Sequence, residues 1–586
     1  MTDLSHTTSE LPSAERDVST GSQNDPLAAQ AATADAQAEA QAAAQAATNA
    51  GVARATGVLA LGNISSRVLG LTREIAMTSL FGASRAVDAF NYATLIPVTL
   101  NDLLIGGHVN SAIIPVLSEV ITREGKEAFW RLASVLFSFV MVIVSAIALL
   151  LALLSPQVVG LISSGADIQT QQLAAELLRW VAPALVFLAL FAVAAGALYA
   201  LRKFSLPAFA GTVFNAGVVL GTVLLAPPPQ ITPVLQHGWI TLVAARPASG
   251  VRAAAFGWLI GALAQLALQL PGLIGGENGL RFTLNWRHPG IRRIALLYTP
   301  VLGSLLLDTF VRTFSYNLAS QTGVGSVSYM NWATTLIQFP QGLVATAISI
   351  AILPTLARQA VLRDQEGEKS FKDTLGLGMR LSITLIIPAA IGLFVLAVPI
   401  IRVLFERGAF TEANTQITAM ALRLYLIGLP FAAVDLQLVY AFYARQDTLT
   451  PAVIGFTSLI VYTIVAVMML PRFGLFSLMI ADSTKHITHS TLSAIILMRR
   501  MHGFGSQKLI RTIAKALSAA LVMGALALIV LPILERLIGV DGLLHQALVL
   551  AIVGGLSLAV YATGATLLRI QEFSWILRMI RSRVGL

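Results

Sequence analysis

Cysteine is absent from all 586 residues, which excludes a disulfide framework and any thiolate-held zinc or iron–sulfur centre. Charge is scarce as well. Asp, Glu, Lys and Arg fill 12% of positions, about half the share that covers the surface of a soluble domain. No glycine-rich phosphate loop ending in Lys and Ser/Thr occurs, so the chain shows no ATPase of its own. The spacing of its serines and histidines marks no nucleophile. These absences point away from an enzyme, and no cofactor or metal is expected.

Apolar residues fill the space. The aliphatic, aromatic and Met positions reach 56% and the mean hydropathy is +0.77. A bilayer core of about 30 Å needs about 20 apolar residues per helix, and runs such as Leu132–Leu154, Leu517–Leu534 and Ala547–Leu568 meet that length. The short alternating segments of a membrane barrel are missing. The expectation is an all-α polytopic membrane protein of about fourteen transmembrane helices, the first over Gly57–Leu80 and the last over Ala547–Leu568. Residues 1–53, polar at first and then rich in Ala and Gln, read as a disordered cytoplasmic tail. They lack the basic start and apolar stretch of a secretory signal.

The net charge of +10 could indicate a nucleic-acid partner, but the basic residues cluster in short connections between apolar runs. That pattern is the positive-inside bias of a membrane protein. With fourteen spans, the even-numbered connections and the C-terminus carry 24 Lys and Arg, the odd-numbered connections 7. Both termini are therefore expected in the cytoplasm, with the chain in the bacterial inner membrane.

The sequence also repeats weakly. Asn91-Tyr92-Ala93-Thr94 is echoed by Asn331-Trp332-Ala333-Thr334, each followed by a proline, Pro97 or Pro340, and then by Pro115 or Pro354. Equivalent spans six apart, in the same orientation, imply two parallel six-helix lobes with a site between them. The expected divisions are 54–273 and 291–500 for the lobes, and 508–586 for two further helices and a basic tail.

A charge at membrane depth costs at least about 2.5–3.5 kcal/mol on insertion scales, so each one needs a partner or a wet cavity. Arg67, Arg73 and Asp88 stand in spans 1 and 2; the arginines offer forks matched to phosphate oxygens, although Arg73 could equally pair with Glu74 or Asp88. Asp102 and His108 follow at the far end of span 2, where Asp102 is a candidate proton or cation site. Asp308 and Arg312, at i,i+4, could form a plain ion pair or a gate. Span 10 holds Arg423 and Asp435. Span 12 holds Asp482, Lys485, His486 and His489, where the two histidines could bind a metal or relay protons, although polar packing between the lobes or contact with a substrate tail is expected ahead of a metal.

Several motifs, in order, resemble those of the MurJ (MviN) family of proposed lipid II flippases. They are Ser66-Arg67-Val68-Leu69-Gly70-Leu71-Thr72-Arg73-Glu74; Leu80-Phe81-Gly82-Ala83 with Val87-Asp88-Ala89-Phe90; Gln338-Phe339-Pro340-Gln341-Gly342 running to Ile352-Leu353-Pro354; Leu404-Phe405-Glu406-Arg407-Gly408-Ala409-Phe410-Thr411; and Tyr443-Ala444-Arg445-Gln446-Asp447-Thr448-Leu449-Thr450-Pro451. The resemblance implies fourteen helices in two lobes, alternating access, and a cationic cavity for a pyrophosphate-linked head group, the lipid tail lying along the last two helices. It assigns functional positions to Arg67, Arg73 and Asp88. The chain departs from the family where Arg-Arg and then Glu are usual, having Asn101-Asp102 and Gly106, and where an acidic-Arg pair is usual, having Thr334-Thr335. The leading expectation is a flippase for a lipid-linked anionic precursor. An exporter coupled to an unidentified ion through Asp88, Asp102 or Asp308, and a non-transporting scaffold, are the alternatives.

Overall fold

The computed structural model describes residues 57–105, 108–228, 230–236, 239–245, 247–274, 279–285, 287–362, 364–501, 503, 507–575 and 578, with side chains left out over 101–112, 231–246 and 297–308. The expected disordered tail, residues 1–53, lies outside these, as do the side chains of Asp102, His108 and Asp308. The chain divides into two compact units at residue 60. In the first, residues 57–60 are helical. The second, Leu61–Leu586, holds every other described element.

Its elements track the apolar runs. α1 covers residues 61–81, followed by α2 (Arg85–Ile105), α3 (His108–Arg123), α4 (Gly125–Leu153), α5 (Ser155–Ile162), α6 (Ile168–Val181), α7 (Ala184–Ala200), α8 (Ser205–Ala208) and α9 (Ala210–Leu225). After two strands come α10 (Val251–Ala267), α11 (Leu270–Leu273), α12 (Pro289–Ser320) and α13 (Ser326–Pro340), which passes through a π-helical stretch, Gln341–Thr346, into α14 (Ala347–Val361). The chain continues through α15 (Gln365–Val395), α16 (Ala397–Phe405), α17 (Glu412–Ala444), α18 (Leu449–Phe473), α19 (Phe476–Arg500), α20 (Leu509–Ile538) and α21 (Leu543–Leu567). Each expected span falls on helix. Among the described residues eight helices are long and apolar enough to cross a membrane, or nine if the pair α6–α7, bent by 41°, counts as one span.

Three features differ from the expectation. The segment 108–123, expected to be largely connection, is the helix α3, and residues 365–380 form the start of α15. Both carry charge and so lack a long apolar run; residues 365–380 are rich in helix formers, whereas α3 is rich in β-branched residues and holds Pro115. Third, Gln230–Gln236 and Trp239–Ala245 pair antiparallel as β1 and β2, with Gln236 opposite Trp239. The span count places only a connection between two helices there.

Packing explains several glycines. Gly217 and Gly221 on α9 face Gly257 and Gly261 on α10. A Cβ on Gly217 would sit 2.6 Å from Cα of Gly261, and one on Gly221 would sit 2.4 Å from Cα of Gly257. Two four-residue glycine spacings set face to face let the helix backbones touch, the small-residue mode of packing between helices in lipid. Elsewhere helices show lipid their large side chains: Leu528, Ile529, Leu544 and Leu558 on α20 and α21 are at least 60% exposed.

Candidate functional site

The repeat noticed in the sequence lines a shared space. A cavity of about 510 Å³ is bordered by Asn91, Thr94 and Leu95 of α2 and by their counterparts Asn331, Thr334 and Thr335 of α13. α1, α12, α17 and α19 complete its wall with Arg73 and Glu74, Arg312, Tyr425, and Asp482 and Lys485. Three cations and two carboxylates thus face one space. Arg73 and Lys485 are each matched to a carboxylate. Arg73 Nη2 donates to Glu74 Oε1 at 2.7 Å and its Nη1 to Asn215 Oδ1 at 3.2 Å. Lys485 Nζ donates to Asp482 Oδ1 at 2.6 Å. Such pairs keep each charge from being stranded in an apolar surrounding, while all four side chains stay 18–28% exposed to the cavity.

The threonines that stand where the family pattern has an acidic-Arg pair bond back to their own helix. Thr334 Oγ1 donates to the Met330 carbonyl at 2.8 Å and Thr335 Oγ1 to the Asn331 carbonyl at 2.9 Å. They add polarity to the wall but no charge.

Arg67 is not part of this cavity. Its Nε donates to Asn63 Oδ1 at 3.3 Å, and its Nη1 lies 3.5 Å from the Gln338 carbonyl at the start of the π-helical stretch. Gly342 makes room for it, since a Cβ there would stand 2.6 Å from Nη2. Pro340 and the π turn disturb the helical ladder at this point, and the Gln338 carbonyl accepts from Gln341 N–H as well as facing Arg67. Arg67 therefore ties α1 to α13.

Asp88, expected to touch substrate, does not line the cavity either. It is 3% exposed and caps a helix from the other half of the chain. Gly325 N–H donates to Oδ2 at 2.5 Å, and Ser328 donates to Oδ1 through N–H at 3.1 Å and Oγ at 2.7 Å. These are orphan donors at the N-terminus of α13, where a carboxylate is favoured. In this conformation its oxygens are committed to that helix.

The same end of the molecule carries further ties between the halves. Ala409 N–H donates to the Ser79 carbonyl at 2.9 Å, and Gly165 N–H to Ser320 Oγ at 3.0 Å. Asn317 Nδ2 donates to the Leu161 carbonyl at 2.7 Å. Gly82 and Gly408 have φ of 58° and 60°, and a Cβ on either would strike the opposite loop within 2.4 Å. Two motifs more than 300 residues apart thus interlock, one reason both need glycine.

Of the remaining candidates, Arg312 lines the cavity, whereas its proposed partner Asp308 lies outside the described side chains, as do Asp102 and His108. On α19, His489 Nδ1 is 2.7 Å from Asp435 Oδ1 and His486 Nε2 is 3.6 Å from Asp482 Oδ2, so the two histidines serve separate carboxylates. No group of three or more metal-ligating side chains occurs among the described residues. Outside the helices, Asp447 anchors the motif 443–451. Burial raises its pKa, but bonds from the Thr450 hydroxyl and amide and from Arg500 outweigh that and hold it at about 2. Sequence reasoning missed the cap on α13 and the cavity role of Asn91 and Asn331; the repeat itself was the signal for the second.

Comparison with known proteins agrees with this architecture. The family model described as lipid II flippase MurJ matches residues 77–546. A lipid II flippase MurJ of Burkholderia cenocepacia is 30% identical over 473 residues, covering 79% of this chain and 86% of the relative. A probable lipid II flippase MurJ of Bdellovibrio bacteriovorus is 30% identical over 534 residues, covering 90% and 97%. Among solved structures, a lipid II flippase MurJ in an inward closed conformation is similar with a TM-score of 0.68 at 23% identity, covering 87% of this chain and 98% of that one. An inward-facing multidrug resistance transporter of the MATE family, in the MOP superfamily, is similar with a TM-score of 0.60 at 12% identity, covering 75% and 96%. At these identities the structures speak for the fold, an all-α membrane-transporter fold, whereas the match over most of the chain and the 30% identical relatives speak for the family. This multi-pass membrane protein belongs to the MurJ family.

Proposed function

We propose that the chain moves a lipid-linked, anionic cell-envelope precursor of the lipid II type across the bacterial inner membrane. The halves 54–273 and 291–500 would act as two lobes that rock about the central cavity and expose it to each side in turn, with both termini in the cytoplasm. The observation that carries this reading is the cavity wall, where Arg73, Arg312 and Lys485 converge between the halves. A pyrophosphate is a fixed anion and needs permanent positive charge in a site of low dielectric. Guanidinium groups grip two oxygens at once. Arg73 and Lys485 would each exchange a resident carboxylate for a phosphate oxygen as substrate enters, so neither would stand as a bare charge at either stage. Arg67 would act on the cycle through the Gln338 carbonyl rather than on the head group.

A second reading has its own observation. Glu74 and Asp482 also face the cavity, and an ion-coupled exporter would work through such carboxylates. The two readings separate in one strain depleted of its own lipid II flippase. For a flippase, the wild-type chain restores growth and head-group exposure at the outer leaflet, Arg73→Ala and Lys485→Ala lower exposure at least about tenfold, as expected when a buried charge contact worth about 2–5 kcal/mol is lost, and protein levels hold. For a cation exporter, Asp482→Asn is the crippling change and Arg73→Ala is mild. Full translocation by Arg73→Ala would sink the anion-site reading.

A further inference from the structure

A second cationic site stands apart from the central cavity, where α15, α21 and the segment after α21 meet. A cleft of about 460 Å³ is lined by Leu377 and Arg380 of α15, Arg569 just past α21, and Glu572, Trp575 and Arg578 beyond it. Arg380 is 19% exposed and fixed: its Nε donates to Glu572 Oε1 at 2.5 Å, and its Nη1 to the Gln507 carbonyl at 2.9 Å. Glu572 is 6% exposed and neutralises this one arginine. Arg569 and Arg578 are exposed and have no carboxylate partner among the described residues, so the cleft keeps an excess of two positive charges. Trp575 is 48% exposed at its edge, and Leu567, 77% exposed, ends the apolar flank of α21 beside it.

We infer that this cleft is a resident-lipid site for the head group of an anionic glycerophospholipid. A cluster of guanidiniums at the end of membrane helices supplies charge for a phosphodiester at head-group depth. An exposed indole is at home at that level, with an apolar body and a polar N–H. Exposed leucines recur along α21, with Leu556 on the face of Leu567, so an acyl chain has apolar side chains to lie against below the phosphate, which a soluble anion would not need. The occupant would bridge α15 to the segment after α21 and so brace the last two helices against the second half. The chemistry, a lipid-borne phosphate, is shared by a bilayer phospholipid and by a polyprenyl phosphate; the apolar flank and the single excess pair of charges favour the bilayer phospholipid.

The test uses the full chain purified in a neutral detergent, with lipid binding read by native mass spectrometry and by thermal shift. Dioleoyl phosphatidylglycerol should bind at least about tenfold more tightly than dioleoyl phosphatidylcholine. The exposed double change Arg569→Gln/Arg578→Gln should remove that preference without altering the circular dichroism of the protein. Arg73→Gln, which alters the central cavity, should keep it, so the result stands whether or not the transport reading does. Inorganic phosphate should not compete at equal concentration. Unchanged phosphatidylglycerol binding in the double variant overturns the site. Equal binding of the two lipids, competition by inorganic phosphate, or a preference for a polyprenyl monophosphate over phosphatidylglycerol overturns its assignment to a resident phospholipid.

Discussion

Single side chains do different work here from what their position in an apolar run first suggests. Asp88 is the clearest case, because all its described side-chain hydrogen bonds go to the start of α13. Asp88→Ala leaves buried amides of Gly325 and Ser328 without an acceptor, a loss of about 1–3 kcal/mol. Amide exchange at those residues should then rise at least about tenfold, and thermal stability should fall; unchanged protection would mean the cap holds nothing. Asp447 is a second case. Its folded pKa of about 2 lies below the ordinary carboxyl value, so its contribution is present above about pH 4 and is lost as pH falls toward about 2. Asp447→Asn should lower stability by about 1 kcal/mol, as for a lost helix cap. It should also flatten the acid dependence across that window in a detergent melt. A variant with the wild-type acid profile would show that Arg500 and Thr450 gain nothing from the charge.

At the scale of elements, close approach is the theme. The glycine faces of α9 and α10 leave no room for a side chain, so Gly221→Leu should separate the helices, and expression of folded protein should drop by more than half. Gly342→Ala is gentler. Its methyl group would take the place of the Arg67 guanidinium, so transport should fall while stability changes by less than about 1 kcal/mol, the range of a surface substitution. A variant with normal transport would detach Arg67 from the cycle. The elements also show what a sequence discloses. Spans such as 451–470 and 547–568 are legible because bilayer thickness sets a length that only a long apolar run can fill. Arg73 and Lys485 are legible because a charge inside such a run is conspicuous. The helix α3, the start of α15 and the β1–β2 hairpin are less so, since each lies where polar residues are tolerated and length carries no message. The role of Asp88 is invisible in one sequence because its partners stand about 240 positions later.

Within the unit Leu61–Leu586, early and late helices are tied together at one end. Asp88 with Gly325 and Ser328, Asn317 with Leu161, Gly165 with Ser320, and Ser79 with Ala409 all join the two halves there. The motifs around Gly82 and Gly408 interlock at the same place. By the charge bias of the connections this end would face away from the cytoplasm, so in the proposed cycle these bonds would break whenever the cavity opened outward. Apart from the buried Asp88 cap, these are exposed or half-buried hydrogen bonds worth about 0.5–1.5 kcal/mol each, which can be exchanged for water on every cycle. A covalent link could not be exchanged. The absence of cysteine makes this testable without background. Ser79→Cys with Ala409→Cys places two thiols on residues whose backbones are bonded at 2.9 Å, within reach of a disulfide. Oxidation should stop head-group exposure at the outer leaflet, reductant should restore it, and each single variant should stay active under both conditions. A membrane-impermeant oxidant should suffice, because the pair would face outward in the proposed topology. If the cross-linked protein kept translocating, this end would be a static brace, and the halves would have to part somewhere else.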